Sequence, residues 1–167
     1  SPVFNVINGG KHGAGNLDFQ EFHIIPSSAN AYPDALRIGA ELYHKVKKVL
    51  IDKNAIHSVG DEGGFAPNLY TNLDALEVIM QAVKERMYRF GEDVFIGLDG
   101  AASNFMHNGM YRIRDKQQPF TTDQFINYLV ELNNQYHLLL LEDPLADDWK
   151  AWKSLNEKLG DSVIIVG

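Results

Sequence analysis

The stretch "LLLLEDPLADDWKAWKSLNEKLGDSVIIV", residues 138–166, decides the fold. Leu138–Leu141 is an unbroken apolar run followed at once by Glu142, Asp143 and Pro144. Asp148–Leu159 has the length of a helix, and Val163–Val166 is a second apolar run. Strands apolar on both faces and joined through a helix predict a parallel sheet covered by helices, because only a crossover connection returns the chain in the same direction. The order repeats upstream. Val94–Leu98 predicts a strand, and Thr121–Asn134 predicts a helix opened by Thr121 and Gln124 at capping-box spacing. Between them lies "NFMHNGMYRIR", residues 104–114, where Asn108-Gly109 predicts a tight hairpin. Trp149 and Trp152 have a spacing that predicts packing into the core.

The first half opens differently. Pro2–Ile7 reads as a strand closed by Asn8, Gly9 and Gly10, and Asp18–Pro26 as a second strand ended by Pro26. Asp34–Lys53 is a predicted helix with Leu36, Leu42, Tyr43, Val46, Val49 and Leu50 on the apolar side and Lys47 and Lys48 on the wet side. Thr71–Arg89 is another, with Thr71 as cap, Asp74 at the box position, and Leu73, Leu76, Met80, Val83 and Met87 as its stripe.

At 167 residues and 45% hydrophobic content, the chain has material for one domain, or part of one, with a real core. Fifteen Lys and Arg against 22 Asp and Glu give a net charge of −7, which argues against a nucleic-acid binder and suits a site holding a hard cation. With no cysteine, thiol catalysis, zinc thiolate sites and disulfides are excluded. No apolar run has the length of a membrane span and no signal-peptide pattern opens the chain, so a cytoplasmic location is the expectation. The opening "SPVFNVINGG" and the closing "VIIVG" are both expected to be cut points rather than natural termini.

Chemistry gathers in a few places. "SVGDEGGFAPN", residues 58–68, sets Asp61 and Glu62 between glycines: either a solvated acidic turn, or a carboxylate presented to a ligand by a backbone only glycine permits. Asp99 and Glu142 each stand one step past a buried run, where loops of an α/β fold converge on a ligand. As a pair they suit a magnesium site, and each alone also fits a cap on the following segment. Glu21 lies in the second strand with its direction open, and His12 in the glycine-flanked loop "GGKHGAGN", residues 9–16. His44 and His107 carry no assigned role. No phosphate loop, nucleophile elbow or zinc helix is present.

Taken together, "NVINGGKHGAGN", "DFQEFHIIP", "ALRIGAELYHKV", "VGDEGGFAPN", "IGLDGAAS", "LLEDPLADDW" and "LGDSVIIVG" resemble the enolase (phosphopyruvate hydratase) family in its bacterial-type form, over essentially the whole chain. The resemblance implies part of a variant (β/α)8 TIM-like barrel, with the first two strands antiparallel, the rest parallel and the helices outside. It makes residues 1–167 the N-terminal part of the barrel domain, preceded by a small domain and followed by the rest of the barrel.

By resemblance, Glu62 is the general acid and Glu21 acts beside it, contacting substrate. His12 and Glu142 also bind substrate, while Asp99 and Glu142 ligate Mg2+. The resemblance implies reversible dehydration of 2-phosphoglycerate to phosphoenolpyruvate in glycolysis, by a homodimer or larger assembly. The location it implies is cytoplasmic, with the cell surface or secretion also open. The family's third metal ligand and lysine base would lie past Gly167, so the fragment alone is expected to be inactive. Departures are His23 where methionine is usual, Asn104 where an acid is usual, and Gly13 and Gly100 at small-residue positions. A divergent, non-catalytic enolase-like protein or binding module is the alternative.

Adjacent side chains on extended backbone point opposite ways, so Glu62 is expected to face the site and Asp61 to turn aside. Glu62 is then expected to keep its proton beside Glu21, since like charges raise a carboxyl pKa.

Overall fold

The computed structural model describes residues 1–167. Five strands form one sheet: β1 (Phe4–Asn8), β2 (Glu21–Pro26), β3 (Val94–Asp99), β6 (Leu138–Glu142) and β7 (Ile164–Val166), hydrogen-bonded in that order. A separate two-stranded hairpin, β4 (Met106–His107) with β5 (Met110–Tyr111), turns at Asn108-Gly109 as the sequence predicts. β2 runs against both of its neighbours, while β3, β6 and β7 are mutually parallel. The sheet is open, a partial barrel rather than a closed one.

Four helices cover one face: α1 (Tyr32–Asp52), α2 (Asn72–Glu85), α3 (Thr122–Tyr136) and α4 (Trp149–Leu159). The residues at their starts explain where they begin. Pro33 sits in the first turn of α1, where its missing N–H costs nothing. Thr71 with Asp74, and Thr121 with Gln124, form complete capping boxes for α2 and α3, and Asp148 accepts from the Lys150 and Ala151 N–H groups of α4. Phe22, Ile24, Ile96, Leu98 and Leu141 of the sheet pack with Leu42, Val46, Leu76, Ile79, Leu129 and Leu155 of the helices into one core.

Three apolar assignments from the sequence are corrected. Leu36 is not on the buried side of α1 but 46% exposed, that side being built from Ala35, Ile38, Leu42, Val46, Val49 and Leu50. Met87 is not in the α2 stripe, since the helix ends at Glu85 and Met87 stands 89% exposed with φ +60°. Trp149 is not core either: as the first residue of α4 it lies at the rim, 86% exposed, whereas Trp152 is half-buried and donates through Nε1 to the Ala146 carbonyl.

The path of the chain sets up the site. β1 ends and β2 begins at the same edge of the sheet, so the connection between them stays there. The segment leaving β2 returns to β3 at the opposite edge, where the Ser27 N–H donates to the Asp93 carbonyl. Between those points α1 and α2 form an antiparallel helical hairpin, tied by Lys45–Glu85 and by Glu41 with Arg86 and Tyr88. Its tip carries residues 53–71 back to the first edge, including Asp61 and Glu62.

Candidate active site

Register places the chemistry in one row. Asn8 pairs with Glu21, Glu21 with Asp99, Asp99 with Glu142, and Glu142 with Val166. Side chains at paired positions share a face, so three carboxylates on three neighbouring strands line the helix-free side of the sheet at one end. One row down, Asn5 pairs with His23 and His23 with Gly97. An irregularity between Asn5 and Ile7 lets Asn5 and Asn8 face the same side although three residues apart.

Asp99 is 7% exposed. Its Oδ1 accepts from the Ala101 N–H at 2.9 Å and its Oδ2 from Gln20 Nε2 at 3.0 Å. Burial nevertheless pushes the Asp99 carboxyl above its ordinary range, helped by the charges of Glu21 and Asp143. Glu142 is raised as well, first by burial and then by the charge of Asp99. Neither is paired with a Lys or Arg side chain. Two crowded, uncompensated carboxylates are a donor set that suits a hard cation. They do not enclose one unaided, for no group of three or more His, Asp or Glu side chains closes around a single point.

Glu21 is held from two sides. His12 Nδ1 lies 3.0 Å from its Oε1 and His23 Nε2 2.8 Å from its Oε2. The sequence singled out Glu21 and His12 separately, and the structure joins them. Asn8 contributes too, donating from Nδ2 to the His12 carbonyl at 3.2 Å. Gly60 and Gly64 of the acidic loop pack directly on the Asn8 side chain, where any Cβ would collide with it. The loop bearing His12 and the loop bearing Glu62 therefore share one asparagine as their seat.

The acidic loop is anchored further down. The Phe65 N–H donates to the Val6 carbonyl and the Asn8 N–H to the Phe65 carbonyl. Phe65 is buried and stacks on Tyr43 at 4.5 Å, and Tyr43 Oη donates to the Gly63 carbonyl at 2.8 Å.

Two expectations about this loop are corrected. Asp61 and Glu62 are not on extended backbone. The Gly63 N–H donates to the Gly60 carbonyl, making them the central residues of a tight turn, with Gly63 at φ +85°. Nor does the Glu62 carboxylate bond to Glu21. It is exposed and makes no hydrogen bond or ion pair, and both Glu21 oxygens are taken by histidines. The residues missed as site members are Asn5, Asn8, Gln20 and His23. Two-residue alternation from Glu21 would have put His23 on the same face.

A cleft of about 650 Å³ lies next to the row rather than on it, lined by Lys11, Gln20, Asn104, Asp143, Asp147 and Trp152 among others.

The sequence model of the enolase C-terminal TIM barrel domain matches residues 1–167. The chain belongs to the enolase family. The carboxylate row lies at one end of the strands of this enolase barrel domain, and the family is one of lyase-type enzymes. Its chain has no helix long and apolar enough to cross a membrane.

Proposed function

We propose that the intact protein containing this chain is a bacterial-type enolase, dehydrating 2-phosphoglycerate reversibly to phosphoenolpyruvate in a magnesium-dependent step of glycolysis. The observation that carries the reading is the in-register row of Glu21, Asp99 and Glu142, in which Asp99 and Glu142 are raised by burial and by neighbouring carboxylate charges and have no Lys or Arg partner. Asp99 and Glu142 would hold Mg2+, with the remaining oxygens from water, substrate and residues outside the chain. When bound, the ion supplies Lewis-acid stabilisation of the charge that builds on the substrate carboxylate as the adjacent proton leaves. Glu142 and His12 also bind substrate, and Glu21 contacts it while fixing His12. Glu62 gives its proton to the departing hydroxyl from the tip of the helical hairpin, and the proton-abstracting base comes from elsewhere in the protein. The assembly is a homodimer or larger, located in the cytoplasm.

The exposed Glu62 carboxylate favours a second reading, a non-catalytic enolase-like binding module. One assay separates them. Purified intact protein is given 2-phosphoglycerate and Mg2+, and phosphoenolpyruvate is followed by its ultraviolet absorbance. Turnover is expected, with Glu62→Gln lowering it by roughly 10²–10⁴-fold and leaving magnesium binding nearly unchanged. Asp99→Asn is expected to weaken magnesium binding first. Absence of turnover in the intact protein selects the binding module. A Glu62→Gln variant that keeps its rate but needs more magnesium reverses the two roles.

A further inference from the structure

Glu21 rests on a histidine the proposed reaction does not use. His23 is 4% exposed, its Nε2 is 2.8 Å from Glu21 Oε2, and its Nδ1 is buried with no hydrogen-bond partner. The ring fits because position 97, its cross-strand partner, is glycine: a Cβ there would come within 3.1 Å of Nδ1.

The unpartnered atom fixes the proton. A proton on Nδ1 would be a buried N–H without an acceptor and would leave the Nε2 lone pair facing a carboxylate oxygen. A proton on Nε2 instead makes a charge-assisted bond to Glu21 and leaves at Nδ1 only a bare lone pair. His23 therefore donates through Nε2–H. That bond occupies Oε2 and holds the Glu21 carboxylate in one orientation, directing Oε1 at His12 Nδ1, 3.0 Å away on the loop between β1 and β2. His12 Nδ1–H then donates to Oε1, so that Nε2 of His12 is the nitrogen left for a ligand.

We propose that His23 is a positioning residue, acting through Glu21 to fix the tautomer and direction of His12. The chain of contacts is His23, Glu21, His12: buried floor, strand end, loop. The significance of the arrangement for turnover rests on the enolase reading, but the arrangement itself does not.

The test has two arms, both on the intact protein. In the first, 15N-labelled histidine spectra report the tautomers directly. His23 is expected with its proton on Nε2, and His12 with its proton on Nδ1. A proton on His23 Nδ1 overturns the proposal whatever the activity. In the second, His23→Met removes the donor at similar size, His23→Gln restores an N–H near the Nε2 position, and His23→Asn places one near Nδ1 instead. His23→Met is expected to release the His12 tautomer, read from its 15N signal. Glutamine is expected to restore that signal and asparagine not. Equal behaviour of glutamine and asparagine, or a His12 signal unchanged in His23→Met, overturns the proposal. If the intact protein lacks turnover, the enolase reading fails while the His12 signal in the three variants still decides this one.

Discussion

Asp18 accepts through Oδ2 from the Arg114 N–H at 2.8 Å and from Asn72 Nδ2 at 3.2 Å, yet burial outweighs these bonds and holds its carboxyl above the ordinary range. A carboxyl raised in the folded state binds more protons there than in the unfolded chain between the ordinary and the raised value. Stability from this group is therefore present at low pH and lost as pH rises through that window. Asp18→Asn, whose amide oxygen can accept both bonds, is expected to match the parent near pH 4 and to be the more stable at pH 7. Urea midpoints at the two pH values measure it, and a gap that closes as pH rises contradicts it. Legibility at this scale was uneven. Asp99 and Glu142 could be singled out as a pair because each stands one step past a buried run, though either alone also fits a cap; strand register then puts them side by side. Glu62 could be singled out but not aimed, since its direction depends on the turn at Gly63, and a turn of that kind is set by loop contacts that periodicity does not carry. His23 stayed a mere departure from pattern until the strand register put it under Glu21.

Asn72, fully buried at the start of α2, ties that helix to the strand carrying Glu21. Its Oδ1 accepts from the Asp18 and Phe19 N–H groups, and its Nδ2 donates to Asp18 and Asp115. Asp115 in turn accepts from the Asn72 and Leu73 N–H groups at the helix start and from Tyr128 Oη of α3. Asn72→Ala strands several buried polar groups at once and is expected to cost about 2–4 kcal/mol in urea unfolding of the intact protein. Thr71→Ala, which removes only the cap of the same helix, is expected to cost about 1 kcal/mol. Equal losses from the two would show that the network adds nothing beyond the cap. All four long helices were legible because capping boxes and apolar stripes are local. Met87 and Trp149 misled for a related reason: spacing identifies a face but not how far the helix runs or what lies beside its ends.

At the scale of the molecule, the sheet has two unlike borders. The outer border of β1 is partly covered, since Phe65 bonds to Val6 and Asn8. The outer border of β7 is bare, with Ile164 and Val166 58% and 41% exposed on the helix-free face. An open strand with apolar side chains invites pairing. The 167-residue polypeptide alone is therefore expected to self-associate in sedimentation experiments, and Ile164→Lys to reduce this. It is also expected not to turn over 2-phosphoglycerate, and an active monomer would refute both. The reversed strand β2 has a different result. In a regular β–α–β unit, the connection must cross the full height of the sheet, and its helix dictates how long it is. Because β2 is laid against the grain, Gly9–Gln20 begins and ends beside the carboxylates, and the α1–α2 excursion departs and lands at Ser27 and Asp93. Both segments can lengthen or shorten without altering the spacing of any strand, so the roof over these acids can change its reach while the framework beneath keeps the same dimensions.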